Sequence, residues 1–291
     1  MDIPGDRVIF TSTHIVPPLV TASWLKNKID AVNIRVVDGS WHLPTLRRNP
    51  EHEFIEKHIP KSVFFDIDKI ADTSSSLPHM VPSENEFSDN VGALGIKNSN
   101  HVVAYDSTGV GSAARVWWMF RLYGHEQVSV LDGGLPAWEK IGGLASGTES
   151  RRQSTFAAKF NPNLIRTLDQ IRANIQTKTA QVLDARSRGR FEGTEREPRE
   201  GLKSGRIPKS FNLPFLKAYN PETKLLLPVE KLSQLFSEAG INPTAPIVTS
   251  CGSGVTACNL ALALYVTGNT TVAVYDGSWT EWGGRNDTPV E

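Results

Sequence analysis

The chain repeats itself, and that limits what it can fold into more than any other feature. Val130-Leu-Asp-Gly-Gly-Leu-Pro-Ala-Trp138 resembles Val274-Tyr-Asp-Gly-Ser-Trp-Thr-Glu-Trp282. Asp132, Gly133 and Trp138 pair with Asp276, Gly277 and Trp282 at a constant offset of 144, which Gly124 and Gly268 share. Upstream, His58-Ile-Pro-Lys-Ser62 resembles Arg206-Ile-Pro-Lys-Ser210 at an offset of 148. Val36-Val-Asp38 resembles Val182-Leu-Asp184 at an offset of 146, as Leu19-Val-Thr21 does Ile165-Arg-Thr167. Each match alone is short enough to be chance. Their common order implies two copies of one domain. The 291 residues divide into two units of ordinary size. The expected limits are 15–143 and 163–291, with 144–162 between them. Gly142–Gln153, rich in Gly, Ser and charge, has the composition of a linker.

Each copy alternates strand and helix signals. In the second, Thr167–Gln176 reads as a helix with Thr167 as N-cap and Leu168, Ile171 and Ile175 on one face. Ala180–Ala185 reads as a short buried strand. Pro228 opens a helix over Val229–Ala239 that stops at Gly240. Pro246–Ser250 and Thr271–Tyr275 read as strands, and Ala257–Val266 as a helix apolar nearly all round. The first copy has Val102–Tyr105, Ala113–Leu122 and Val128–Leu131 in the corresponding places. Such alternation predicts an α/β fold in which each copy is a mainly parallel sheet with helices on both faces.

Composition narrows the function classes. Lys plus Arg and Asp plus Glu are both 31, so the formal net charge is zero. That argues against a general nucleic-acid binder, which needs excess cations for phosphates, while leaving room for a local basic pocket. The two cysteines, Cys251 and Cys258, cannot make a disulfide framework and point to a reducing compartment. The longest mostly apolar run, near Asn259–Thr267, is too short to span a bilayer. Met1–Thr13 has neither the apolar core of a signal peptide nor the Arg-rich make-up of a presequence. The expectation is a cytosolic protein without membrane contact.

Ligands in parallel sheets bind at the carboxyl ends of strands. Ser250-Cys-Gly-Ser-Gly-Val-Thr-Ala257 lies at such an end, between a strand and a helix. Two glycines let the backbone curl so that successive amides face inward, and the helix N-terminus adds partial positive charge: together, a cradle for anions. A cysteine at its edge is a candidate nucleophile. The bland alternative is an inert buried thiol. Gly252-Ser-Gly-Val-Thr-Ala257 also fits the dinucleotide pattern G-x-G-x-x-[GA], with Asp276 as the ribose acid, but only 15 residues follow Asp276. A cysteine phosphatase needs Cys, five residues, then Arg, and Ala257 stands there instead. Zinc is poorly supported because Cys251 and Cys258 are seven apart.

With the duplication and this loop, the chain resembles the two-domain sulfurtransferases of the rhodanese superfamily, and within it the branch that uses 3-mercaptopyruvate. Cys251-Gly-Ser-Gly-Val-Thr-Ala-Cys258 is similar to that branch's active loop. Val272–Trp282 is similar to the superfamily's C-terminal signature, and Phe54-Ile-Glu-Lys-His-Ile-Pro60 to the N-terminal one. There Lys61-Ser62 replaces the usual Gly-Ala. Gly189–Arg199 resembles the family's arginine-bearing segment.

The resemblance implies two tandem rhodanese-like domains and a sulfur carried as a persulfide on Cys251. It implies Arg190 and Arg199 as holders of the donor's carboxylate and keto oxygens, a task suited to arginine's planar fork. The alternative for both is a solvated charged loop. Gly252, Gly254, Val255 and Thr256 would contribute the rest of the cradle. A proton relay from Ser253 to His79 and Asp68 is implied for the departing enolate, with Asp66 as the alternative acid. In the first copy Tyr105-Asp-Ser-Thr-Gly-Val-Gly-Ser112 lacks a cysteine, so that copy would be silent and would wall the cleft with His79 and Arg115, the latter alternatively a structural salt-bridge residue. Expected partners are 3-mercaptopyruvate as donor and thioredoxin, small thiols or cyanide as acceptor, with no cofactor or metal. The competing expectations are a thiosulfate-using enzyme and a non-catalytic rhodanese-like module. The location would be cytosolic, with or without a mitochondrial pool.

Overall fold

The computed structural model describes residues 16–148 and 152–291. Met1–Thr13, read above for targeting signals, position 15 and residues 149–151 of the expected linker lie outside the described residues.

The strands are, in chain order, β1 (Leu19–Val20), β2 (Ile34–Asp38), β3 (Ser62–Phe64), β4 (His101–Tyr105), β5 (Val128–Leu131), β6 (Ile165–Arg166), β7 (Gln181–Asp184), β8 (Phe211–Asn212), β9 (Ile247–Ser250) and β10 (Ala273–Tyr275). They form two five-stranded sheets of the same topology, β1-β5-β4-β2-β3 and β6-β10-β9-β7-β8. Every pairing between these strands is parallel, and the registers Val36↔Val103 and Val182↔Val248 correspond. The expected α/β architecture is therefore present twice, with sheets wholly rather than mainly parallel.

Side chains alternate across each strand, and the two faces feed different cores. Val36, Val103 and Tyr105 enter an outer cluster with Leu25 and Trp138. Val182, Val248 and Tyr275 enter its counterpart with Ile171, Trp279 and Trp282. The residues between them, Val37, Val102 and Ala104 in one half and Leu183, Ile247 and Val274 in the other, share one continuous core. The helices Ala113–Leu122 and Ala257–Val266 fill the middle of that core. All ten residues of the first are buried, as are nine of the ten in the second. An all-round apolar helix buries all its faces only when a second layer covers it. Here each covers the other: Trp117 meets Tyr265 edge-on at 5.2 Å, and the Arg121 guanidinium lies 4.2 Å over the Tyr265 ring.

Local chemistry explains the helix starts. Thr167 and Gln170 form a reciprocal capping box, as do Ser83 and Glu86. The repeated Ile-Pro-Lys-Ser makes the same turn twice. Lys61 and Lys209 both take φ of 64°, and Ser62 Oγ and Ser210 Oγ each donate 2.6 Å to the carbonyl three residues back. Residues after the Gly- and Ser-rich stretch are held along the first half: Ser154 N–H donates to Gly92 O at 2.9 Å, and Phe156 is buried beside Phe87 and Phe120. Among the described residues, no helix is long and apolar enough to cross a membrane.

Candidate active site

The loop 251–256 joins β9 to the helix Ala257–Val266. Its carbonyls are turned away from the cleft and tied down. Cys251 O accepts from Trp279 N–H at 3.0 Å. Gly252 O accepts from Thr280 N–H at 2.8 Å and from its hydroxyl at 2.6 Å. The Cys251 amide donates to Ser278 Oγ at 3.1 Å. None of the amides of residues 252–256 has a protein acceptor among the described residues. Gly254 is obligatory: its φ is 77°, and a Cβ there would lie 2.7 Å from Asp276 O. The result is an open concavity of donors at a helix N-terminus with Cys251 at its edge.

The first half shows what such a concavity holds. At the end of β4, in the place of Cys251, stands Asp106. Its Oδ1 accepts from the amides of Thr108 and Gly109 at 3.0 and 2.8 Å. Its Oδ2 accepts from those of Gly111 and Ala113 at 3.0 Å each. The corresponding strand-to-helix turn, one residue longer, is filled by a carboxylate of the chain itself.

Cys251, Gly252, Ser253, Val255 and Thr256 form one wall of a cleft of about 310 Å³. Arg190 and Arg199 form another, with Trp41, Leu43, Phe215 and Leu216 as apolar surroundings. Arg190 sits in a short helix, Arg188–Glu192, opened by Ser187. Glu197 holds it, Arg190 Nη2 lying 2.6 Å from Glu197 Oε2. Arg199 donates to Ser253 Oγ at 3.3 Å, and burial lowers its guanidinium from the usual value while Cys251 opposes that shift. A Cβ on Gly252 would lie 3.1 Å from Arg190 Nη2 and 3.6 Å from Arg199 Nη1, so both guanidinia lean over the cradle.

Sequence reasoning missed Arg186. It is fully buried, bonds both oxygens of Asp184 and also Glu197, and lies 4.2 Å over Trp279. Glu197 thus bridges Arg186 to Arg190. The available signal was an arginine two residues beyond the Asp that ends a strand.

The first half supplies the rest. His79 Nδ1 lies 3.1 Å from Ser253 Oγ, and His79 Nε2 lies 2.9 Å from Asp68 Oδ1. Asp66 is excluded from that contact; it accepts from the amides of Asp68 and Lys69 instead. Trp41, also missed, donates to Asp68 Oδ2 at 3.1 Å and meets the His79 ring edge-on at 4.7 Å. The network assigns the tautomer. Arg199 can only donate, so it makes Ser253 Oγ an acceptor and leaves the hydroxyl proton for His79 Nδ1. The ring proton then sits on Nε2, facing Asp68. The His79 hydrogen bond holds the Asp68 carboxyl below its usual range, against the opposing effect of burial. Arg115 does not line the cleft. It is completely buried behind the loop, 2.7 Å from Asp276.

Two stretches, residues 21–141 and 167–285, match the rhodanese-like domain. The chain belongs to the rhodanese-like family. Its rhodanese-like relatives include the mitochondrial thiosulfate/3-mercaptopyruvate sulfurtransferase 1 of Arabidopsis thaliana, 45% identical over 97% of this chain and 80% of that one. The human 3-mercaptopyruvate sulfurtransferase is 42% identical over 93% of each chain. The crystal structure of SseA from Escherichia coli, described as a 3-mercaptopyruvate sulfotransferase of the rhodanese fold, superimposes with a TM-score of 0.83. It is 35% identical and covers 91% of this chain and 99% of its own.

Proposed function

We propose that this rhodanese-like chain is a sulfurtransferase that takes sulfur from 3-mercaptopyruvate onto Cys251 and passes it to a thiol or to cyanide. The observation that carries the reading is the contact of His79 with Ser253 across the two halves, beside an open amide cradle with a cysteine at its edge. A bare anion site needs no histidine brought from another domain. A reaction that expels a carbanion does.

The donor's carboxylate and keto oxygen lie against Arg190 and Arg199, whose forked guanidinia pair with them. The Cys251 thiolate attacks the donor sulfur. A sulfur–sulfur bond forms, the carbon–sulfur bond breaks, and its electron pair leaves on carbon as the enolate of pyruvate. The proton is the donor thiol's own: it passes through Ser253 to His79 Nδ1, Asp68 stabilises the charged ring, and the proton returns through Ser253 to that carbon. The amides of residues 252–256 hold the persulfide anion where a preformed dipole array costs no reorganisation. An acceptor thiolate then takes the outer sulfur and frees the Cys251 thiolate. No outside oxidant or reductant enters.

A second reading, thiosulfate as donor, draws on Arg190 and Arg199, which suit a dianion, and on the Arabidopsis relative, whose name carries both donors. Sulfite as leaving group needs no proton, so this reading leaves the His79 contact without a use. The deciding experiment measures pyruvate release from 3-mercaptopyruvate beside thiocyanate formation from thiosulfate and cyanide. Faster pyruvate release supports the proposal; thiocyanate formation alone overturns it. Thioredoxin and small thiols are the proposed acceptors, the cytosol the proposed location, and 15–143 and 163–291 the proposed units.

A further inference from the structure

We propose that Arg115 is a positioning residue for the relay: one buried guanidinium from the first half sets the spacing between His79 and Ser253. This rests on the sulfur-transfer reading above.

The contacts lie on both sides of the relay. Arg115 Nη1 is 2.7 Å from Asp276 Oδ1, and the same nitrogen donates to Gly254 O at 3.5 Å. Arg115 Nη2 donates to His79 O at 2.5 Å. Asp276 Oδ2 accepts the Val81 amide at 2.8 Å. The ion pair therefore grips residues 79 and 81 of the loop that carries the histidine, and residue 254, next to Ser253. The His79 backbone is left-handed, with φ of 63°, a conformation that costs a non-glycine residue energy and persists when its surroundings fix it. Arg115 and Asp276 are among those surroundings.

The chain's own duplication provides the comparison. Position 259 corresponds to position 115 at the offset of 144, and it holds Asn. Asn259 donates to Gly111 O at 2.8 Å, as Arg115 does to Gly254 O. Asp132 corresponds to Asp276 and accepts the Leu226 amide at 2.8 Å, yet no cation is bonded to it among the described residues. Lys224 corresponds to His79 and has the same φ of 63°. Both halves thus share the loop, the aspartate and the amide. The arginine occurs only over the cradle with a cysteine and a histidine beside it. Holding the halves together does not require it, since the other joint manages with Asn259. A buried ion pair is also weak evidence of stability, because desolvation opposes its attraction. Arg115 also lies 4.6 Å over Trp118, but its bond to His79 O and its hold on Val81 through Asp276 are what bear on the histidine's position.

The test is a double-mutant cycle on the full chain with two donors. Arg115→Lys keeps the charge but not the fork that reaches three acceptors. We expect kcat for 3-mercaptopyruvate to fall about tenfold or more, through misplacement of the proton donor, with kcat for thiosulfate changed less than about threefold. In a His79→Ala background, adding Arg115→Lys should cost nothing further with 3-mercaptopyruvate. Thiosulfate-loaded persulfide on Cys251, counted by mass spectrometry, measures the folded, loadable fraction of each sample. If Arg115→Lys folds poorly, Asp276→Asn, which keeps an oxygen for the Val81 amide, should give the same donor-selective loss. Equal losses with both donors, no loss, or an undiminished loss in the His79→Ala background would each overturn the role assigned to Arg115. If His79→Ala itself leaves 3-mercaptopyruvate turnover intact, the relay reading falls, whatever Arg115 does.

Discussion

Arg199 donates to the same Ser253 oxygen that faces His79, at 3.3 Å on one side and 3.1 Å on the other. In the proposed reaction, donor binding and proton transfer would therefore meet at one hydroxyl. Arg199 both leans over the cradle and dictates which way the serine's proton points.

Ser253→Ala separates the two tasks. Turnover of 3-mercaptopyruvate should fall by roughly a hundred- to ten-thousandfold, the range typical of a lost general acid. Thiosulfate turnover should change little, because sulfite leaves without a proton. The ratio of kcat/KM for the two donors is the measurement. Parallel losses would remove Ser253 from the relay.

Cys251 and Cys258 should behave oppositely. Cys251→Ser should abolish turnover with both donors, and mass spectrometry of donor-treated protein should find the extra sulfur on Cys251. Cys258→Ser should retain most activity. That thiol is fully buried, donates to Gly254 O at 3.2 Å, and is pushed by burial well above the ordinary thiol range. It is therefore a poor nucleophile at neutral pH.

Arg190→Ala and Arg199→Ala should each weaken donor use. A lost charge-assisted hydrogen bond costs about 1.5–3 kcal/mol, so kcat/KM should fall roughly ten- to hundredfold per site. Glu197 is shared by Arg190 and Arg186, so Arg190→Ala also frees it to pair with Arg186 alone. Unchanged kinetics in both variants would return the arginines to a merely structural role.

Much of this was legible in the sequence, for identifiable reasons. The helices Ala113–Leu122 and Ala257–Val266 were readable to the residue because their apolar runs end at strong signals. The two-residue strands β1, β6 and β8 are too short to show any periodicity. The cysteine loop stood out because glycine spacing is a local property. Arg186 and Trp41 did not, because their importance lies in contacts to Glu197 and Asp68, 11 and 27 residues away. The Lys61-Ser62 departure from a Gly-Ala signature also has a physical reading: lysine there occupies the left-handed region that glycine takes without cost.

Asp38 makes stability depend on pH. Burial pushes its carboxyl up from 3.8 to about 6. A folded value above the unfolded one means that the native state prefers the proton. This contribution is fully present below the unfolded value of about 3.9 and is lost as pH rises through about 6. Asp38→Asn should remove it. Relative to wild type, the variant should gain up to about 3 kcal/mol in urea unfolding between pH 4 and 7. A constant difference between the two proteins across that range would refute the assignment.

Asp106 gives the duplicated chain an asymmetry in stoichiometry. Its carboxylate is tethered to the cradle it fills, so it cannot be washed out, exchanged or outcompeted. In the proposed reading, the second half's cradle exchanges its anion while the first half's turn is permanently occupied. A titration with any anion that enters the cradle should saturate at one equivalent per chain, although the cradle is built twice. The heat stabilisation that such an anion confers should arise from the second half alone, with the first already at its ceiling.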